Sequence, residues 1–160
     1  MKSRIRMMGL GLCLALGSAG RAGAATYFVN DGFTTGDIYT TSIGNDANAG
    51  TSSNAPKLTL ASVLTNALAG GDAIYIDTGT YAPVTIPATK AGTAGNRILF
   101  QGSTNYAAGG TVFTGGGAGS YLITVYGHYL HFRDIRTVGG FRGWHVYNAT
   151  FCEFDQIQSI

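Results

Sequence analysis

Four ionisable side chains recur at a spacing that sets them side by side. His131 and Glu153 lie 22 residues apart, as do Arg133 and Asp155. They sit in two segments, residues 129–138 (Tyr-Leu-His-Phe-Arg-Asp-Ile-Arg-Thr-Val) and 151–160 (Phe-Cys-Glu-Phe-Asp-Gln-Ile-Gln-Ser-Ile), with apolar and polar types in the same order. Adjacent strands of a sheet run about 4.8 Å apart, and opposite charges facing each other there attract by roughly 0.2–1 kcal/mol. Two chemistries fit: a solvated ion-pair ladder, or a polar floor for a sugar chain. Tyr126 and Tyr147 end Ile-Thr-Val-Tyr and Trp-His-Val-Tyr, at an offset of 21. They read as an outward aromatic ladder, suited to stacking on a sugar ring or simply to a strand surface.

Other residue patterns carry less. His128, His131 and His145 lack a histidine partner at i+2 or i+4, so they do not spell a zinc site. Asp46-Ala-Asn48-Ala-Gly50 has a calcium-loop flavour but lacks the downstream bidentate glutamate, and reads as a turn. Gly115–Gly117 lacks the lysine and helix of a phosphate loop. Asn148-Ala-Thr150 is a glycosylation sequon, and Cys152 reads as an inward, inert thiol. No cluster of carboxylates suggests a calcium cage.

The elements that position these residues follow from the spacing. A fixed period in the twenties means that one supersecondary unit stacks on the next. Apolar residues alternate inside the repeat, so the unit is built of strands. The expected architecture is all-β, a parallel β-helix of about four coils. Strand pairs separated by turns are expected at 73–76 and 84–86, at 98–100 and 112–113, at 122–126 and 130–135, and at 144–147 and 152–157. Leu130, Phe132 and Ile135 should point inward above Cys152, Phe154 and Ile157. Leu58 to Leu68 reads as one amphipathic helix, with Leu60, Leu64, Ala67 and Leu68 on a face, Thr59 as cap and Gly70-Gly71 at its end. That helix would cover the open end of the first coil. The stretch from 30 to 57, rich in Gly, Asn, Asp, Ser and Thr, reads as a surface loop.

Lys2, Arg4 and Arg6 precede an apolar run from Met7 to Leu16, and Ala22-Gly23-Ala24 follows. This order is that of a secretory signal peptide, and the run is too short to span a bilayer. The chain then divides into a signal peptide at 1–24, a strand, loop and capping helix at 25–71, and coils at 72–160. Four of the ten basic residues leave with the signal, so the exported part carries six basic and eight acidic residues. The apparent basicity gives no argument for a nucleic-acid partner. Cys152 is then the single cysteine, so no internal disulfide forms and packing must hold the fold.

Four stretches carry a resemblance: Tyr27-Phe-Val-Asn30 with Gly44-Asn-Asp-Ala-Asn-Ala-Gly-Thr51 and Pro56; Gly70-Gly-Asp-Ala-Ile-Tyr-Ile76; Gly79-Thr-Tyr81; and Gly92-Thr-Ala-Gly-Asn-Arg-Ile98. Together with the coils they resemble the amino-terminal part of secreted right-handed parallel β-helix proteins of the pectate-lyase-like superfamily. The resemblance implies a right-handed helix, a secreted or cell-surface location, and a polysaccharide partner. It also implies further coils beyond Ile160, with self-association through the open carboxy-terminal coil when they are missing. Many members are lyases, and calcium would serve a full-length lyase. No catalytic residue carries over by motif, and no cofactor is implied for this chain. The rival expectation is a non-enzymatic surface adhesin or structural solenoid. Export should remove residues 1–24, so amino-terminal sequencing of secreted material should begin near Ala25. A mature product that retains Lys2 would count against the signal.

Overall fold

The structure is a computed structural model that describes residues 23–160. The signal-peptide reading therefore falls almost wholly outside the described residues. In chain order the elements are β1 (Thr26–Val29), α1 (Leu60–Val63), β2 (Ala73–Ile76), β3 (Gly79–Tyr81), β4 (Val84–Ile86), β5 (Ile98–Gly102), a 3-10 turn (Tyr106–Ala108), β6 (Thr111–Thr114), β7 (Tyr121–Val125), β8 (Leu130–Arg133), β9 (Ile135–Val138), β10 (Arg142–Val146), β11 (Glu153–Asp155) and β12 (Gln158–Ser159). The protein is mostly β, and its strands form three sheets. The first runs β1-β2-β5-β8-β11, the second β3-β6-β9-β12 and the third β4-β7-β10. Every strand pair is parallel. From β2 onward the chain visits first, second and third sheet in rotation.

Register puts like on like. Tyr27, Ile74, Phe100, Phe132 and Phe154 form one column of the first sheet. The rings of Phe100, Phe132 and Phe154 stack with centroids 4.8 and 5.3 Å apart. Tyr81 and Phe113 continue the interior from the second sheet, and Val84, Ile123 and Trp144 from the third. Ile74, Ile76, Phe100, Phe113, Leu130, Phe132 and Ile135 are buried in this core. Cys152 and Phe154 pack against it, so the expected inward column is found at those two positions, while Ile157 is only partly buried. Sheets covered on their inner face alone call for alternation, and β2, β4 and β8 alternate between buried and more exposed residues.

Three expectations need correction. From β2 to β10 each turn of the chain carries three strands, not two: Gly79–Tyr81 is a strand where a turn through Thr78-Gly79-Thr80 was expected, and Ile135–Val138 is one where a strand continuation was expected. The turns are also unequal. Ile74 to Phe100 spans 26 residues, Phe100 to Phe132 spans 32, and Phe132 to Phe154 spans 22. The 32-residue turn carries extra chain between its strands. Finally, the helix is one turn, Leu60–Val63, rather than Leu58–Leu68. Thr59 does cap it, its Oγ1 accepting from Ser62 N at 3.1 Å. The helix stops because Thr65 turns its hydroxyl back onto Ser62 O at 2.8 Å, and Lys90 Nζ takes Asn66 O at 2.7 Å. Its buried residues, Leu60 and Val63, pack towards β1 and β4.

Two carboxylates, buried Asp77 and exposed Asp46, fasten the loop from 30 to 57. Asp77 accepts from the backbone N–H groups of Ile38, Tyr39 and Thr40 at 2.8, 2.8 and 2.6 Å, and from the Thr40 hydroxyl at 2.9 Å. Asp46 accepts from Leu58 N, Thr59 N and Thr59 Oγ1 at 2.9–3.0 Å. Lys57 Nζ donates to Asp46 O and Asn48 O. The segment 46–50 is thus a structural turn whose carboxylate holds the helix start.

Phe132 touches a ring on either side in its column and Trp144 across it. Phe132→Ala should therefore cost about 3–5 kcal/mol, read as a loss of stability in urea unfolding. A change below about 1 kcal/mol would mean that the column is not the core.

Candidate functional site

Two surfaces bring the candidate residues together. On the outer face of the first sheet, Glu153 is in register with His131, and Asp155 with Arg133. The charges do pair straight across, but at long range, and the tightest contacts run diagonally. His131 Nε2 lies 2.8 Å from Asp155 Oδ2, whereas its Nδ1 is 3.7 Å from Glu153 Oε2. Arg133 Nε is 3.9 Å from Asp155 Oδ2. Glu153 instead takes Arg97, whose Nη2 is 2.9 Å from Oε1. The correction has a plain cause: a long arginine side chain from the start of β5 reaches past β8 to β11. Its Nε also donates to Phe151 O at 3.3 Å. The carboxylates of Glu153 and Asp155 are about half exposed, at 48% and 57%, so each pair is worth roughly 0–1 kcal/mol. Every charge here has a partner, so the face is an ion-pair ladder with half-exposed carboxylates.

On the third sheet the pairing is richer than sequence suggested. Tyr126 and Tyr147 meet edge to face, with centroids 6.0 Å apart and planes at 79°. Tyr147 lies beside His145 at 5.9 Å, and His145 stacks on Tyr121 at 4.1 Å with planes 16° apart. Tyr121 meets Phe141 edge-on at 6.1 Å. Arg142 sits over the Phe141 ring, 5.4 Å from its centroid. Five rings thus form one continuous row along β7 and β10. Phe141 and Tyr147 are 59% and 54% exposed, which leaves ring faces open at both ends of β10. Phe141, Tyr121 and His145 were missed as site residues. The signal for Tyr121 lies in the same 21-residue offset, which aligns it with Arg142. Thr124 is the register partner of His145, so no like-with-like pair announces that ring.

A third cluster lies where the first sheet passes into the second. Asp134, buried and in left-handed backbone (φ 56°), accepts from Gln101 Nε2 at 2.7 Å. Its other oxygen takes a short hydrogen bond from the Tyr106 hydroxyl. Tyr39, whose hydroxyl donates to Gly102 O at 3.1 Å, lies nearby. Burial pushes the Tyr39 phenol above its ordinary value.

Other positions are committed elsewhere. A cleft of about 410 Å³ opens between α1 and the β3–β4 corner, with Phe33, Leu58, Pro83 and Val84 in its walls. Its carboxylate, Asp31, already accepts from Phe33 N and Thr80 N at 2.8 and 3.0 Å. His128 Nδ1 is taken by Thr150 Oγ1 at 2.9 Å, which also engages the sequon threonine. Cys152 is half-buried, its thiol pushed up by burial. Among the described residues no group of three His, Cys, Asp or Glu side chains could hold a metal ion, and no helix is long and apolar enough to cross a membrane.

Comparison with protein-family models, with curated proteins and with solved structures finds no match to this chain.

The Tyr106–Asp134 bond sets a pH dependence. The bond to the carboxylate, then burial, push the Tyr106 phenol up to about 12, from 10.0. A group raised on folding stabilises the fold fully below its unfolded value and loses that contribution as pH rises through the folded one. The melting-temperature gap between the natural chain and Tyr106→Phe should stay constant below pH 10 and close by about pH 12. A gap that closes near pH 8 would show that another group controls it.

Proposed function

We propose that the chain is the amino-terminal part of a secreted right-handed parallel β-helix protein of the pectate-lyase-like class that binds polysaccharide. The fold reading is supported by three all-parallel sheets visited in rotation and by the columns of like residues in their interior. The observation that carries the binding reading is the aromatic row Phe141, Tyr121, His145, Tyr147 and Tyr126. Sugar rings have apolar faces edged by hydroxyls. A line of exposed rings offers them stacking area at small entropic cost, because each aromatic side chain has only two rotatable bonds. Arg142 at one end adds a donor for hydroxyls or acidic groups.

The same residues support binding better than catalysis. His131 is the natural general base of the ionic face, yet it is held against Asp155, and Glu153 is held by Arg97. The non-enzymatic reading, an adhesin or a structural solenoid, draws on this saturation of the charges.

Titration of the full chain with neutral and acidic oligosaccharides, followed by tyrosine and tryptophan fluorescence, tests the proposal. Each aromatic contact is worth about 0.5–1.5 kcal/mol beyond its buried area, so Tyr147→Ala and Phe141→Ala should each weaken binding roughly two- to tenfold. Incubation with alginate, pectate and chondroitin should release no unsaturated product. Absence of binding across the panel, or binding indifferent to both substitutions, would sink the reading.

A further inference from the structure

The longest turn of the chain, from Phe100 to Phe132, contains the 3-10 turn at Tyr106–Ala108, which has no counterpart in the other turns. The segment around it folds over the outer corner between the first and second sheets and is well anchored. Asn105 Oδ1 accepts from Ala108 N at 3.3 Å, and Asn105 Nδ2 donates to Gly36 O at 2.8 Å. Thr78 and Ser103 share a hydroxyl hydrogen bond of 2.6 Å beneath it. Between this segment, β9 and β12 lies a pocket of about 150 Å³ lined by Tyr106, Arg136, Gln156 and Gln158.

Arg136 supplies the one formal charge in that lining. Its Nη1 donates to Gly109 O at 2.9 Å, and its Nε is buried without a hydrogen-bond partner. Among the described residues no carboxylate lies within 4 Å of its guanidinium, unlike Arg97 and Arg133. Asp134, two residues earlier, is taken by Gln101 and Tyr106. The side-chain amides of Gln156 and Gln158 are exposed, and they have no hydrogen-bond partner among the described residues. The pocket therefore presents an unneutralised guanidinium and two spare amides.

We infer that this pocket is a binding site for a small carboxylate, held by the guanidinium of Arg136 and the amides of Gln156 and Gln158. Arginine's planar fork matches the two oxygens of a carboxylate. One positive charge balances one carboxylate, whereas a phosphate monoester brings about −1.5 to −2 and finds no second cation here. The volume equals that of about five waters at ~30 Å³ each. It admits the carboxylate and a few carbons, so a sugar acid enters by its carboxylate while its ring stays outside. Asp134, behind Tyr106, opposes the anion and keeps the affinity modest. The pocket is independent of the aromatic row, which lies on another sheet.

Backbone amide shifts of the full chain, followed by NMR during titration with acetate, D-glucuronate and glucose, test the site. Residues 106, 136, 156 and 158 should shift saturably with both acids and not with glucose. Equal affinities would identify the carboxylate alone as ligand, and tighter glucuronate binding would identify a sugar acid. Arg136→Ala should raise Kd at least tenfold, and Arg136→Lys should recover part of the loss. Gln156 and Gln158 are exposed, so the double substitution to Ala gives a folded control and should weaken both acids several-fold. No saturable shift with either acid, an equal response to glucose, or unchanged affinity in the glutamine double variant would overturn the site.

Discussion

Phe100, Phe132 and Phe154 stack at 4.8 and 5.3 Å inside the protein, each on a neighbouring strand of the first sheet. Everything on the outside depends on that alignment. Side chains alternate along a strand, so a slip by one residue would bring His131, Arg133, Glu153 and Asp155 inward and put the phenylalanines in water. Burying a phenylalanine is worth roughly 1.5–3 kcal/mol, whereas an exposed ion pair gives roughly 0–1. The apolar column sets the register, and the ionic ladder follows. The aromatic row of the third sheet is a second consequence, since the register of Trp144 with Ile123 sets His145 on β10 beside Tyr121 of β7, and Tyr147 just after β10 beside Tyr126.

Structure consumes much of the polar chemistry that looks available in the sequence. Asp77, Asp46, Asp31 and Asn30 all accept or donate several hydrogen bonds that fasten the loop ahead of β2. Around them Asp37 feels burial first and then the Asp77 charge, and both raise its carboxyl. A buried acceptor of several N–H groups leaves each donor stranded when removed, at roughly 1–3 kcal/mol per group. Those residues therefore belong to stability. The open ring faces of Phe141 and Tyr147 and the guanidinium of Arg136, by contrast, are not drawn into that loop.

The 22-residue echo was legible because the turn from β8 to β11 carries no insertion, so like residues kept like spacing. That reading located the inward column, the register of His131 with Glu153, and Tyr126 beside Tyr147. It failed where length varied. The turn from β5 to β8 carries extra chain around residues 103–110, and no fixed offset leads to Tyr106 or to its bond with Asp134. Arg97 was invisible for a related reason: its reach crosses a strand, a matter of side-chain length and not of register. Thr78-Gly79-Thr80 looked like a turn because glycine suits turns, but the strand Gly79–Tyr81 runs through it. Its place in a parallel ladder with Thr111–Phe113 makes it a strand. The helix shrank where the Thr65 hydroxyl turns back onto Ser62 O and Lys90 reaches Asn66 O, against the periodicity of the leucines.

The corner between the first and second sheets shows how backbone constraint reaches the surface. Asp134 and Gln156 occupy it in successive turns with φ of 56° and 52°, a conformation that costs non-glycine residues. That cost is about 1–2 kcal/mol each. At Asp134 the hydrogen bonds from Gln101 and Tyr106 hold the conformation. The residue below, Gly102, must lack a side chain, because a Cβ there would lie 2.1 Å from Asp134 O. The close approach at Gly102 lets the corner fold tightly, and the tight corner brings Asp134 under the ring of Tyr106. Tyr106, thus held, becomes a wall of the pocket, and Gln156, repeating the same turn one layer on, becomes another. Arg136 follows Asp134 by two residues and emerges on β9 beside them. A glycine in the first sheet and a strained aspartate at the corner therefore determine where the unneutralised guanidinium meets solvent.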